Sequence, residues 1–225
     1  LLKSMDLMTV QAEVLYIHDE AGRITVTNEP AGQAAPRLFW GHTEEGSVVR
    51  FREDMPDPVV DEVLQVIDQA GATEKLAGVI RILAKHSGIN KIWMGPAFVF
   101  PQGIIDDSDA VLVTEENTSL LERGFPHLLS ELHSRGPCYM MLADHMAVSV
   151  CYSARYNDRA AEAGVETLEG YRGRGYTTRA AASWAHVIRQ SGRIPLYSTS
   201  WDNYASQSIA RRLQLHRYGT DISID

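Results

Sequence analysis

Fourteen consecutive residues constrain this chain more than any other feature: Val165-Glu166-Thr167-Leu168-Glu169-Gly170-Tyr171-Arg172-Gly173-Arg174-Gly175-Tyr176-Thr177-Thr178. The run up to Leu168 reads as a strand. Gly170, Gly173 and Gly175 read as a turn, and an alanine-rich stretch from Thr178 reads as a helix. A strand that feeds a glycine turn and then a helix start belongs to an α/β fold. It is also a physical recipe for an anion site. Glycine lets the backbone approach a ligand closely and aim successive N–H groups at one point. The helix start adds unpaired donors and the positive end of its dipole. Arg172 and Arg174 add charge, and their fork geometry suits phosphate oxygens.

The rest of the chain supports a mixed α/β reading. Apolar spacing predicts a helix over 6–17, with Leu7, Val10, Val14 and Ile17 on one face. Short β-rich runs at 23–27, 37–41 and 48–52 predict a small antiparallel sheet. Helices are expected over 59–67 and 76–83, stopped near Gly88, and a strand over 93–100. The stretch from Pro101 to Asp109 holds turn residues and three aspartates, and it is the best candidate linker. It divides the chain into 1–105, an N-terminal α/β region, and 106–225. The second part reads as strand 110–114, helices 116–121 and 125–132, and strands 138–143, 146–153 and 163–168. Helix 178–190, strand 196–201, helix 203–213 and strand 217–224 complete it.

Composition sets outer limits. The 225 residues are 44% hydrophobic and 22% charged, too apolar for a disordered chain. The net charge of −8 argues against a general nucleic-acid binder, which needs a broad positive field. Residues 155–217 hold ten arginines against five acids, a local +5 that leaves −13 for the remainder. A positive field confined to one segment of an acidic protein suits a small polyanionic ligand. The longest uncharged apolar run, 92–100, is far short of the ~20 residues that span a bilayer, so no membrane partner is expected. The first residues show no apolar signal core. Cys138 and Cys151 sit in apolar strand-like runs without CxxC spacing, which predicts two buried reduced thiols in a cytoplasmic protein.

Among phosphate ligands, the absence of GxxxxGK[ST] sets aside a P-loop NTPase. Gly173-x-Gly175-x-x-Thr178 half-matches a dinucleotide fingerprint, but the positions ~20 residues on, Pro195 to Ser198, carry no acid.

The motif Arg172-Gly173-Arg174-Gly175-Tyr176-Thr177 resembles the (Gln/Arg)-x-x-Gly-x-(Gly/Ala) signature of the GNAT superfamily of acyl-CoA-dependent N-acetyltransferases. The preceding strand-and-turn pattern, Val165-x-Thr167-x-Glu169-x-Tyr171-Arg172-Gly173, aligns with that family's own. Downstream, Asn203 and Ser206, followed by Ile209 and Leu213, resemble its Asn-x-x-Ala/Ser-x-x-apolar helix. The phrases 148–155, 162–165 and 195–201 look like a bacterial branch with an extra N-terminal region. The resemblance covers roughly 110–225. It implies a GNAT-type mixed, twisted sheet flanked by helices, with the N-terminal part packed on it and walling the acceptor cleft.

It also implies an activity: transfer of an acetyl or other acyl group from acetyl-CoA, the donor substrate, to an amine acceptor, without a metal. A catalytically silent acyl-CoA-binding or regulatory module is the alternative. The implied cofactor residues are Val165, Glu166 and Thr167 along the pantetheine arm, Arg172 to Thr178 (Gly173, Arg174, Gly175, Tyr176 and Thr177 between) around the pyrophosphate, and Asn203 and Ser206. A backbone N–H near Thr167 would support the oxyanion. Because an alkylamine is almost fully protonated at neutral pH, a base or a desolvating pocket is needed. Glu166 and Glu162 are the catalytic candidates, as carboxylates on a central strand are unexpected. The sequence departs from the pattern in three places. Thr177 stands where Gly or Ala is usual, and Gln214-Leu215 replaces Gly-Phe. Ala210 occupies the place of a tyrosine that protonates the leaving thiolate, which leaves Tyr197, Tyr204 and Tyr218 as substitutes.

Other constellations read as structure. His127 and Glu131 could share a helix face, and Asp144-His145 reads as a hairpin turn before a base. Trp184, Val187 and Ile188 read as the buried face of the helix after the loop. Neither HExxH nor GxSxG is present.

Overall fold

The computed structural model describes residues 2–68, 72–104 and 109–225, without the side chains of 72 and 73. Its frame is one nine-stranded sheet. The strands are β3 (Leu38–Thr43), β4 (Gly46–Phe51), β5 (Ile92–Val99), β6 (Val111–Leu112), β7 (Cys138–Ala143), β8 (Met146–Tyr156), β9 (Ala160–Thr167), β10 (Ile194–Ser198) and β11 (His216–Ile224). They lie in the order β4-β3-β11-β5-β10-β9-β8-β7-β6. A mixed, twisted sheet flanked by helices matches the fold expected for 110–225.

Every neighbouring pair is antiparallel except β9 and β10. That parallel pair is joined by the long helix α6 (Tyr176–Gln190), the crossover that a parallel pair requires. Its pairing is short, running only from Ile194↔Ala160 to Leu196↔Glu162. Beyond Glu162, β9 stays paired with β8 as far as Thr167↔Ser149, while β10 stays paired with β5. The two strands therefore splay, and the β10-facing edge of 163–167 has no strand partner.

Helices cover both faces. On one side α6 buries Ala180, Ala181, Ser183, Trp184, Ala185 and Ile188. Its small residues allow close approach to the sheet, and Trp184 anchors it against Phe100 with ring centroids 5.7 Å apart. Trp184 is fully buried, and its indole N–H donates to Ser153 Oγ at 3.2 Å. On the same side α2 (Asp57–Asp68) and α3 (Ala72–His86) pack over Leu38, Trp40 and Ile222, and α7 (Tyr204–Arg212) follows β10. On the other side α1 (Ser4–Leu15) buries Leu7, Met8, Val10 and Val14 against Phe39, Ala97, Ala160 and Leu196. The short helices α4 (Pro126–Leu129) and α5 (Leu132–Arg135) cover the β7–β8 end of that face.

The N-terminal strands depart from expectation. The runs near 24, 38 and 48 do not form one small sheet. β2 (Ile24–Thr27) pairs with β1 (Tyr16–His18) in a separate ribbon, whereas β3 and β4 extend the main sheet through β11. β5 inserts between β10 and β11. The local β3–β4 hairpin forms, but antiparallel pairing of β3 with the distant β11 takes it into the main sheet. The first helix ends at Leu15, two residues before the apolar Ile17, because Tyr16–His18 pairs with β2. The expected helix over 125–132 is two single turns. The candidate linker lies partly outside the described residues, at 105–108. Asp144 and His145 form the β7–β8 turn with φ of 51° and 61°. Both cysteines are free and buried, and burial pushes the Cys138 thiol up to about 12.

Candidate functional site: two cavities at a strand splay

The glycine loop takes the conformation that its composition demands. Gly173 and Gly175 have φ of 78° and 79°, the left-handed region that a side chain disfavours. A Cβ on Gly173 would meet no atom within 4 Å, so the backbone there lies open to a ligand. Gly175 is the N-cap of α6 and supplies no side chain to its first N–H groups, which leaves them free to bind. Thr178 Oγ1 donates to Gly175 O at 2.7 Å and holds the loop to the helix. Thr177 Oγ1 lies 2.6 Å from Thr167 Oγ1, which lies 2.7 Å from the buried Ser149 Oγ. These hydroxyls tie the helix start to the end of β9, so Thr177, the departure from Gly or Ala, locks the loop to the strand.

A cavity of about 540 Å³ opens above this loop. Of the residues expected there, all but Arg174 border it, from Val165 to Thr178 and with Asn203 and Ser206. Arg174 turns away: its guanidinium donates to Gly170 O at 3.0 Å and lies 5.2 Å from the Tyr171 ring centroid. Sequence reading missed Tyr171, Ser208 and Arg212, which also border the cavity. Arg212 could have been found, since a basic residue in the last turn of α7 joins the arginine excess already noted. Asn203 Oδ1 accepts the Ser206 N–H at 3.0 Å and caps α7.

A second cavity, of about 640 Å³, adjoins the first and shares Val165, Asn203 and Ser206 with it. The splay between β9 and β10 is therefore where the two meet. Residues of the N-terminal part, among them Tyr16, Glu29 and Pro36, wall it on one side. Glu162, Tyr197, Ser198 and Asp221 line it on the sheet side.

The two acidic candidates part company. Glu162 is 4% exposed and borders the larger cavity. One of its oxygens takes the Ser198 hydroxyl; the other is 3.6 Å from Arg155 Nη1, beyond hydrogen bonding. Glu166 borders the loop cavity. Its Oε1 lies 3.0 Å from both His127 Nε2 and Tyr152 Oη. His127 thus partners a carboxylate on β9, whereas Glu131 pairs with Arg135. Among the described residues no group of three or more His, Cys, Asp or Glu is arranged to hold a metal ion.

The tyrosines are equally distinct. Ala210 is buried. Tyr204 is 75% exposed, and Tyr218 is buried against α1, where it donates to Gln11; neither borders either of these two cavities. Tyr197 borders the larger cavity, and its hydroxyl is bonded to Ser206 Oγ, which borders both. Burial pushes the Tyr197 phenol up to about 12, so it holds its proton at neutral pH.

Comparison with known proteins bears on the family and the fold. Residues 114–220 match the family model of the GNAT acetyltransferases. No curated protein matches the chain. A GCN5-related N-acetyltransferase from Kribbella flavida has a similar fold at 17% identity, covering 98% of this chain and 94% of its own, with a TM-score of 0.52. A GCN5-related N-acetyltransferase-like protein from Streptococcus suis is 15% identical over 85% of each chain, with a TM-score of 0.50. A GNAT-family protein from Novosphingobium aromaticivorans is 15% identical, with 60% of this chain covered and a TM-score of 0.47; the match spans only 65% of that protein's length. At such identities the likeness to the Kribbella flavida and Streptococcus suis proteins shows a shared fold.

Proposed function

We propose that this chain, of which residues 114–220 match the family model of the GNAT acetyltransferases and whose fold GNAT proteins share, is a member of that superfamily and moves an acetyl or other acyl group from acetyl-CoA to an amine. The observation that carries the reading is the junction of the two cavities at the splay, one lined by the glycine loop and the other by acids. We read 106–225 as the catalytic part and 1–105 as the region that walls the acceptor side. The reading places the protein in the cytoplasm of a bacterial cell.

The loop cavity suits the donor. The N–H groups at the start of α6, with Arg172 and Arg212 beside them, suit a pyrophosphate. The unpaired edge of β9 over 163–167 offers N–H and C=O groups to the amides of a pantetheine arm. The thioester then falls near the shared residues Val165, Asn203 and Ser206. A β9 N–H near Thr167 supports the oxyanion, and a donor of that kind is worth ~3 kcal/mol.

The larger cavity suits the acceptor. The amine nitrogen attacks the thioester carbonyl, a C–N bond forms, the C–S bond breaks, and the amine gives up a proton. Glu162 is the better-placed proton acceptor, because it borders the acceptor cavity and one of its oxygens has no hydrogen bond. Glu166 is already engaged by His127 and Tyr152 and borders only the donor side. The departing thiolate takes a proton from Ser206, which the Tyr197 hydroxyl can resupply; this pair replaces the tyrosine that Ala210 lacks. A thiol-release assay with acetyl-CoA and a panel of amines tests the reading. Thiol release dependent on an amine supports it. Acetyl-CoA binding without release for any amine points instead to a silent acyl-CoA-binding module.

A further inference from the structure

The acceptor cavity carries more chemistry than a single amine uses. Among the described residues four buried side-chain nitrogen or oxygen atoms lack a hydrogen-bond partner: His18 Nε2, Arg155 Nε, Glu162 Oε2 and Asp221 Oδ1. Three of these four belong to residues that border this one cavity. Buried polar atoms are normally satisfied, and a carboxylate oxygen left unpaired destabilises the fold. Two of the three, Glu162 Oε2 and Asp221 Oδ1, are carboxyl acceptors open to a ligand's N–H groups; the third, Arg155 Nε, is a donor on a guanidinium already flanked by Glu29 and Glu162.

Asp221 is the group that the proposed reaction leaves unused. It is 1% exposed, on the face of β11 that α1 covers. Its Oδ2 accepts from Gln11 Nε2 at 2.8 Å, and Gln11 in turn is held by the Tyr218 hydroxyl. The carboxyl is therefore fixed by one oxygen while the other stays free. Glu162 comes close to repeating the arrangement on β9: Ser198 holds one oxygen, and the other has no hydrogen bond but lies 3.6 Å from Arg155 Nη1, in an ion pair. The charge around them is acidic. Glu29, Glu162, Asp221 and Asp225 border the cavity against Lys91 and Arg155, and Arg155 is already shared between Glu29 and Glu162.

These groups select by chemistry. An amino acid would bring a carboxylate into a surplus of acids. A simple monoamine, or a lysine side chain of a protein, would satisfy one free oxygen and leave the other buried and unpaired. Two donors on one small cation satisfy both. We propose that the acceptor is a compact diamine, with its spectator ammonium held by Asp221 Oδ1 and its reacting amine beside Glu162 Oε2. This rests on the acyl-transfer reading for the role of the ligand, though not for its binding. Asp221 is then a specificity-determining residue: its buried carboxyl, which favours the protonated form until a ligand binds, gives up that proton to solvent as the spectator ammonium docks, and only the nitrogen beside Glu162 forms the new C–N bond.

The test is calorimetric titration of the full chain with α,ω-diamines of three to six carbons, the matching monoamines and the matching ω-amino acids. In the wild type the best diamine should bind at least roughly tenfold more tightly than its monoamine, as one charge-assisted hydrogen bond allows, and the amino acids most weakly. Asp221→Asn should erase that advantage, bringing the diamine to the affinity of its monoamine. Equal binding of diamine and monoamine in the wild type, tighter binding of an amino acid, or no saturable binding by any probe overturns the proposal. The wild-type order decides even if the variant does not fold. Acetyl-CoA titrated into the same preparation separates the two claims. Diamine binding without acetyl-CoA binding keeps the diamine site and removes acyl transfer; acetyl-CoA binding without diamine preference does the reverse.

Discussion

The two cavities that meet at the splay are built in opposite ways. The donor-side cavity is drawn from two short stretches, 165–178 and 203–212. Its decisive features are local: left-handed glycines, an open helix start and a capping asparagine. The acceptor-side cavity gathers residues from 15–36, 91–93, 154–165, 197–206 and 221–225. Its decisive features, Glu162 and Asp221, are brought to one cavity only by the sheet order, with β10 and β5 lying between their strands. A site whose chemistry is fixed by backbone conformation writes itself into a motif; a site assembled by long-range pairing does not.

The contrast can be broken by substitution, and the largest effect belongs to the acceptor side. Glu162→Gln should lower the rate of amine acylation by about 10²–10⁴-fold, the usual contribution of a positioned base, and leave acetyl-CoA affinity unchanged. Glu166→Gln should lower the rate less than about tenfold. Steady-state kinetics with a saturating donor decides, and the reverse ranking would move the proton acceptor to the Glu166–His127 pair. On the donor side, Arg172→Ala should weaken acetyl-CoA roughly tenfold or more through the loss of a charge-assisted contact, with diamine affinity unaffected. Titration of each ligand checks this; a change in both would mean that the cavities are not separable.

Stability should divide along the same line. Burial, and then the charge of Glu162, push the Asp221 carboxyl well above the usual carboxylate range. The folded state therefore holds a proton that the unfolded chain has released once the pH exceeds its ordinary value near 3.9. The associated stability is fully present below that pH and is lost as pH rises through the folded-state value. Asp221→Asn should remove this loss and raise the melting temperature at pH 7–8, by ~2–4 °C for each kcal/mol relieved, with the gain vanishing toward pH 4. A lower melting temperature at pH 8 would contradict it. The smallest effect is expected at Asn203→Ala, which deletes the α7 cap at a cost of about 1 kcal/mol. Thermal melts should show a fall of ~2–4 °C.

The same division governs what could be read in the chain beforehand. The strand over 138–143 was legible to the residue, and helix 178–190 to within one turn, because their periodicity is decided by near neighbours. Trp184 and Ile188 were legible as core for the same reason. The fate of the β-rich runs near 38 and 48 was not, because nothing local says that β3 will pair with β11 and carry β4 into the main sheet with it. In the candidate site the loop residues were legible, apart from the orientation of Arg174, whose guanidinium found a nearer carbonyl. Glu162 stood out as a carboxylate in a strand. Asp221, in an ordinary alternating strand, carried no signal at all, since only the packing of α1 makes it buried. His127 was noticed for the wrong partner: Glu131 is near in sequence, but Glu166 is near in space.

The central claim, that the glycine loop holds the pyrophosphate of an acyl-CoA, is tested most directly by thermal melting with ligands. A ligand at a hundredfold excess over its Kd adds ~2.7 kcal/mol of stability, so acetyl-CoA should raise the melting temperature by roughly 5–11 °C for a chain of this size. NAD and ATP should shift it little. Gly173→Asp should abolish the acetyl-CoA shift, since its carboxylate repels phosphate and its Cβ fills the open approach that the φ of 78° provides. A larger shift with NAD or ATP, or the same acetyl-CoA shift in wild type and Gly173→Asp, would contradict the account.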